Sequence, residues 1–323
     1  MTLNRIADGA LLGSFGYLTF VSWKTGHIVP ISITILCWAW AFHQYVWLPA
    51  RQRQIQPLVN KAQAARDVGN AKEAVKLYKQ AIAQQPKNPG LYVESGQVKL
   101  AEKAYGAALT DFKQASRLTP NNPGIHLMTT AAHCGLKDYQ KALTLNNEII
   151  NANPSGPQAF MGYLGRGTVF IYLRKFDRAL GDFLQADRLK PNFFLTQCCL
   201  AEAFCYIGEF GKGLASAERA VDLMPSLGTP YLWRGWAKYG LDRYEEGLKD
   251  CNTAIQQDPK FGKSYEIRGL VHQAMGQLEP ALKDLERALE LYQKEGLEQF
   301  EAEVMEPLTE VRQALGQDLT DTE

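Results

Sequence analysis

Charge of one sign is what this sequence has least of: 35 lysines and arginines stand against 34 acids, a formal net charge of +1. With no basic stripe to neutralise a phosphate backbone, a nucleic acid is not an expected partner. Glycine-rich phosphate loops are missing. The five histidines, His27, His43, His126, His133 and His272, stand at no spacing from a cysteine or carboxylate that would make a ligand set or a triad. The chain is therefore read as no enzyme, with no cofactor and no small-molecule substrate. Its six cysteines (Cys37, Cys134, Cys198, Cys199, Cys205, Cys251) form no Cys-x-x-Cys pair and no regular framework, and read as free thiols in a reducing compartment. Cys198 and Cys205 share a helical face, and with Cys134 they are candidates for a soft metal. Nothing fixes tetrahedral geometry, so small apolar residues are the preferred reading and a metal- or cofactor-carrying protein the weakest one.

Long apolar runs are equally scarce, and the one of full length lies near the start. Ile28 to Leu48 reads IVPISITILCWAWAFHQYVWL, 21 residues without a formal charge apart from any that His43 carries. At about 1.5 Å per residue it is long enough to cross a hydrocarbon core. Trp38, Trp40, Tyr45 and Trp47 crowd its second half, as rings at a headgroup boundary do. Before it, residues 10–23 are apolar but shorter, and are read as a second span making a helical hairpin, as an interfacial segment, or as a cleaved leader. Asp8 and the lack of a small-x-small site before Lys24 count against the leader. Arg51 and Arg53 follow the long span, whereas the 24–27 loop offers only Lys24. Positive flanks stay inside, which predicts a membrane anchor over residues 1–49 and everything after it on the cytoplasmic side.

Beyond the anchor a period appears. Pro86, Pro120, Pro154, Pro191, Pro225 and Pro259 are separated by 34 residues four times and by 37 once. A proline cannot continue the helix before it, so the spacing marks the end of a repeated two-helix unit. With units starting at 55, 89, 123, 160, 194, 228 and 262, the eighth position is small throughout: Ala62, Gly96, Thr130, Gly167, Ala201, Gly235, Gly269. The twentieth is always Ala or Gly, and the twenty-seventh is Ala except for Ile149. Two helices that cross closely require this, because a longer side chain would overpack the contact. Aromatics recur at position four, as in Tyr92 and Tyr231, and at position seventeen, as in Tyr105 and Phe176.

This pattern resembles the tetratricopeptide repeat over residues 55–295. It departs from it in having no Trp at position four and Gln293 in place of the last proline. The resemblance implies an all-α, right-handed α-solenoid of seven helix-turn-helix units, each with a helix A and a helix B, that binds other proteins. It also implies a concave face made by positions two, five, nine, twelve and thirteen of helix A. On this sequence those positions include Leu127, Leu164, Ile171, Tyr172, Cys198, Cys205, Tyr206, Leu232, Trp236 and Tyr239, an apolar and aromatic groove expected to take an apolar or amphipathic protein segment. The clamp that some members close on the acidic tails of chaperones is not expected, since Val93, Gln97, Leu127 and Ala131 stand where its polar residues belong.

Three units carry an arginine at position seven and an aspartate sixteen residues on: Arg166 with Asp182, Arg234 with Asp250, Arg268 with Asp284. These are expected to be partly buried, bidentate structural pairs that bridge helix A to helix B. Residues 296–317 place Leu297, Phe300, Val304, Leu308, Val311 and Leu315 on one face, which predicts a capping helix with Gln299, Glu303, Glu306, Glu310 and Gln313 in water. Pro307 is expected to kink or split it, and residues 318–323 form an acidic tail. The functional expectation is a membrane-tethered scaffold or assembly factor, with a permanent structural subunit of a membrane complex as the alternative.

Overall fold

A computed structural model describes residues 48–120 and 122–316, and among these it is all helix. The chain divides into two compact units, residues 1–118 and 119–323. The first contains α1 (Leu48–Asp67), α2 (Ala71–Gln84), α3 (Pro89–Ala101) and α4 (Tyr105–Leu118), which are the A and B helices of repeats one and two. The second holds repeats three to seven: α5 (Pro123–Gly135) and α6 (Tyr139–Ala152), α7 (Ala159–Tyr172) and α8 (Phe176–Leu189), α9 (Phe194–Tyr206) and α10 (Phe210–Leu223), α11 (Gly228–Tyr239) and α12 (Tyr244–Gln257), α13 (Gly262–Ala274) and α14 (Leu278–Glu295). A last helix, α15 (Glu298–Ala314), follows. The 1–47 part of the expected anchor and the 318–323 tail lie outside the described residues. No helix among the described residues is long and apolar enough to cross a membrane.

The periodic prolines act through the residue before them. Steric conflict with the ring drives that residue out of the helical region. Gln85 (φ −133°), Lys190 (φ −142°), Met224 (φ −144°) and Asp258 (φ −137°) accordingly end their B helices, each still donating its N–H to the carbonyl four residues back. Position-four tyrosines then tie three of these turns to the next A helix: the hydroxyls of Tyr92, Tyr231 and Tyr265 donate to the carbonyls of Pro86, Pro225 and Pro259 at 3.0–3.2 Å. Within each repeat the A–B turn passes through a left-handed residue at position fifteen. Glycine serves at Gly69, Gly208 and Gly276, but Lys103, Lys137, Arg174 and Asp242 adopt φ of 55–59° there, at a cost of about 1 kcal/mol each.

The core is a series of size-matched pairs between the two helices of a repeat. Position 24 fills the space that the small position eight leaves: Phe112 lies against Gly96, Phe183 against Gly167 and Leu285 against Gly269. Repeat three uses a polar version, with Asn146 Nδ2 donating to Thr130 Oγ1 at 2.9 Å. Where the spacing stretches to 37, between repeats three and four, a cleft of about 230 Å³ opens between Pro123, His126, Ile149, Asn153, Gln158 and Met161.

One expectation needs correction: Pro307 does not divide the C-terminal stretch, which is one continuous helix, α15. α1 likewise carries Pro57 inside it and already includes residues 49–54. Pro307 does not split α15 because Val304, Leu308 and Val311 hold both sides of it against Ala281, Leu285 and Ala288.

Candidate functional site

The ten residues expected to line a groove separate into two sets. Leu164, Ile171, Cys198, Cys205 and Leu232 are buried, at 8% exposure or less, and belong to the core. They occupy positions five and twelve, where consecutive A helices pack side by side: Cys205 Sγ faces the Trp233 carbonyl of the next repeat at 3.9 Å. Leu127, Tyr172, Tyr206, Trp236 and Tyr239 are half-buried and keep an open side.

Around Tyr206 and Trp236 the open sides join into a ladder. Phe176 stacks flat on Tyr206, with centroids 4.2 Å apart, and Tyr206 meets Trp236 edge to face at 4.8 Å. The ammonium of Lys263 lies 5.2 Å from the Tyr206 ring, 5.0 Å from Trp236 and 5.6 Å from Phe300 of α15. A cation among three rings is attracted by each quadrupole. Carboxylates complete the neutralisation of Lys263, Glu266 Oε1 at 2.7 Å and Glu303 Oε2 at 3.2 Å. Glu303 also pairs with Arg174, whose guanidinium lies over Phe176. Glu303 is therefore not in water, contrary to the helical-face reading of the C-terminal stretch. Trp236 also packs on the core around Leu232, Trp233 and Ile267, so truncating it would cost stability as well as surface.

Glu202 projects from α9 beside this ladder. Burial pushes its carboxyl up to about 7, against the opposing pull of Lys263. An acid whose folded pKa exceeds its unfolded value favours the fold while protonated, so the contribution of Glu202 to stability is greatest below about pH 4.5 and declines until the pH passes about 7. We expect Glu202→Gln to remove this slope and to stabilise the chain by about 2 kcal/mol at pH 8. Denaturant melts of both proteins at pH 5 and pH 8 test this; equal pH dependence in the two would show that Glu202 is ionised throughout.

The thiols near the ladder have no such chemistry. Burial raises Cys198 to about 12, and Cys199 and Cys205 are raised as well, so all three are protonated at neutral pH. Among the described residues no group of three or more His, Cys, Asp or Glu side chains is placed to hold a metal.

In the arginine pairs the aspartates are buried and the arginines half-buried. Arg166, Arg234 and Arg268 each donate through Nε and Nη2 to both oxygens of Asp182, Asp250 and Asp284, at 2.6–2.8 Å. Two reach further, to the B helix of the preceding repeat: Arg166 Nη1 donates to Asn147 and Arg268 Nη1 to Asn252, both at 2.7 Å. A lysine at position eleven serves the same aspartate, a partner that the sixteen-residue spacing did not suggest. Lys238 donates to Asp250 at 2.8 Å, and in repeat two, which has no arginine, Lys99 meets Asp111 at 2.5 Å.

Models of the tetratricopeptide repeat match residues 59–123 and 262–295, so the chain carries repeats of this kind. Among solved structures, a tetratricopeptide repeat protein from Parabacteroides merdae is similar with a TM-score of 0.50 and 20% identity, over 78% of this chain and 99% of that one. The Cut9–Hcn1 hetero-tetramer of the APC/C is similar with a TM-score of 0.61 and 12% identity, over 80% of this chain but 49% of that one, about half its length. At these identities the likeness concerns the fold alone. No sequence among the curated proteins matches the chain.

Proposed function

We propose that this chain is an interaction scaffold tethered to a membrane by Ile28–Leu48, with its repeats on the cytoplasmic side, and that it serves assembly by capturing a protein segment on the A-helix face of residues 119–323. Tetratricopeptide repeats are a fold of protein–protein interaction, which supports the general reading. The observation that carries the specific one is the ladder of Phe176, Tyr206 and Trp236 with Lys263, half-buried rings beside cations on one face. Tyrosine, tryptophan and arginine, as at Tyr206, Trp236 and Arg174, are the usual anchors of binding surfaces. The tether rests on length and flanking charge. Since α1 includes Leu48, about 10 Å of helix lies between Leu48 and Ile55, where the first repeat starts.

Two measurements on cells test the two halves. Deleting residues 1–49 is expected to move the chain from the membrane pellet to the supernatant with its helical circular dichroism intact; retention in the pellet at high salt would remove the tether. A photo-crosslinking amino acid at Lys175, exposed between Arg174 and Phe176 in the chain, is expected to trap a partner that the same group at Lys249, exposed on α12, does not. Trapping from Lys249 alone would move the binding surface to the B helices.

A further inference from the structure

Only one face of α15 is needed to end the array. Val304, Leu308 and Val311 are 1% exposed or less, sealed against α14, and this suffices for a cap. Its acids engage helix A of repeat seven and the turns of two earlier repeats. Glu298 pairs with Lys137 at 2.9 Å, Glu303 with Lys263 and Arg174, and Glu310 accepts from Gln273 at 2.9 Å. Lys137 and Arg174 lie in the A–B turns of repeats three and four, far back in the chain, so α15 reaches from repeat seven across the A-helix side of the second unit. Both residues hold left-handed turn positions that glycine would occupy without strain. Phe300 meanwhile closes the ring box over Lys263, and Glu303, three residues on and thus on the same helical side, bridges the two cations that flank the ladder. The ladder is thereby contacted by an acidic amphipathic helix belonging to the chain itself.

We propose that the face formed by Arg174, Tyr206, Trp236 and Lys263 is a receptor for an acidic amphipathic helix that presents an aromatic residue followed three positions later by a glutamate, and that Phe300 and Glu303 hold this place in the free chain. The inference rests on the reading of this face as the partner surface. The chemistry follows from the charges and rings present: Arg174, and Lys263 shared with Glu266, favour one further carboxylate between them, and the Tyr206 and Trp236 rings favour an apolar member beside it. A partner helix must compete with α15, so its apparent affinity is reduced by the fraction of chains in which Phe300 and Glu303 are seated.

The test uses the full chain in detergent, native and with Glu298→Gln and Glu303→Gln together. The double variant leaves Val304, Leu308 and Val311 in place, and Lys263 keeps Glu266, so no buried cation is stranded. The probe is a fluorescent peptide with the sequence of residues 296–316. In the variant, amide hydrogen exchange over 298–304 is expected to quicken at least tenfold, and the peptide to bind at least tenfold more tightly than to the native chain. A peptide carrying Phe300→Ala and Glu303→Gln is expected to lose that binding while keeping its Val-Leu-Val face. Unchanged exchange would show that the acids do not hold α15. Faster exchange with no peptide binding, or equal binding of the altered peptide, would show that the face is not a receptor for this helix. A partner trapped from Lys175 despite such a result would leave the scaffold reading standing and remove only the acidic-helix chemistry.

Discussion

Asp250→Ala is expected to destabilise the chain by about 4 kcal/mol, because it strands two cations at once. Arg234 grips both oxygens of this carboxylate, Lys238 donates to it at 2.8 Å, and Asp250 itself is 4% exposed. Lys238 is buried too, at 8%, and its other acid, Glu246, is 3.7 Å away on the exposed side. Removing the shared anion therefore leaves buried positive charge with little compensation. Arg234→Ala should cost less, about 2 kcal/mol, since Asp250 keeps Lys238. Asp250→Ala combined with Arg234→Ala and Lys238→Met should recover part of the loss, because no buried charge remains unpaired. Urea titrations followed by circular dichroism give all three values. An Asp250→Ala cost no larger than that of Arg234→Ala would mean that the carboxylate is not the hub of the cluster.

The same sixteen-residue offset governs charge and packing. Positions 7 and 23 make the ion pair, and positions 8 and 24 make the size-matched pair next to it, so in repeats four, six and seven the A–B interface sets an electrostatic contact beside a steric one. The guanidinium then extends to the preceding B helix through Asn147 or Asn252. A repeat with this arrangement is coupled to its neighbour by a directional hydrogen bond as well as by apolar area. In a one-dimensional array such nearest-neighbour contacts decide whether units unfold together or separately.

Helix boundaries were legible in the sequence because proline acts locally: its ring sets the conformation of one preceding residue, and a fixed period repeats the effect. The arginine–aspartate spacing was legible for a related reason, since a helix hairpin of constant length returns residue 23 to residue 7 each time. The groove was only half legible. Positions five and twelve of helix A read as a free face when one repeat is considered alone, yet Leu164, Cys205 and Leu232 are covered by the next A helix, a contact between repeats that a single helix's periodicity does not contain. The roles of Lys99 and Lys238 were hidden because a lysine on an amphipathic helix ordinarily reads as solvent-facing. The reach of Glu298 and Glu303 to Lys137 and Arg174 was hidden by sequence separation. Left-handed turns at Lys103, Lys137, Arg174 and Asp242 carried no signal, since none of these residue types marks such a conformation.

Gly167→Val should destabilise the chain by about 3 kcal/mol through overpacking rather than loss of contact. A Cβ on Gly167 would lie 2.4 Å from Phe183 Cε1 and 2.7 Å from its Cδ1. Phe183 is fully buried, at 0% exposure, with Ala179 and Ala186 on its own helix equally enclosed, so the ring has no free volume into which to turn. The backbones of α7 and α8 must instead move apart, which would strain the Arg166–Asp182 pair one residue along each helix. Phe183→Leu alone should cost about 1 kcal/mol as a modest cavity. Combined with Gly167→Ala it should cost less than the sum of the two single changes, by 1 kcal/mol or more, because the smaller side chain vacates the space that the new methyl needs. Repeat seven already shows that pairing in part, with Leu285 opposite Gly269. Strict additivity in that cycle would mean that the two helices relax without the ring, and that positions 8 and 24 are not matched in size.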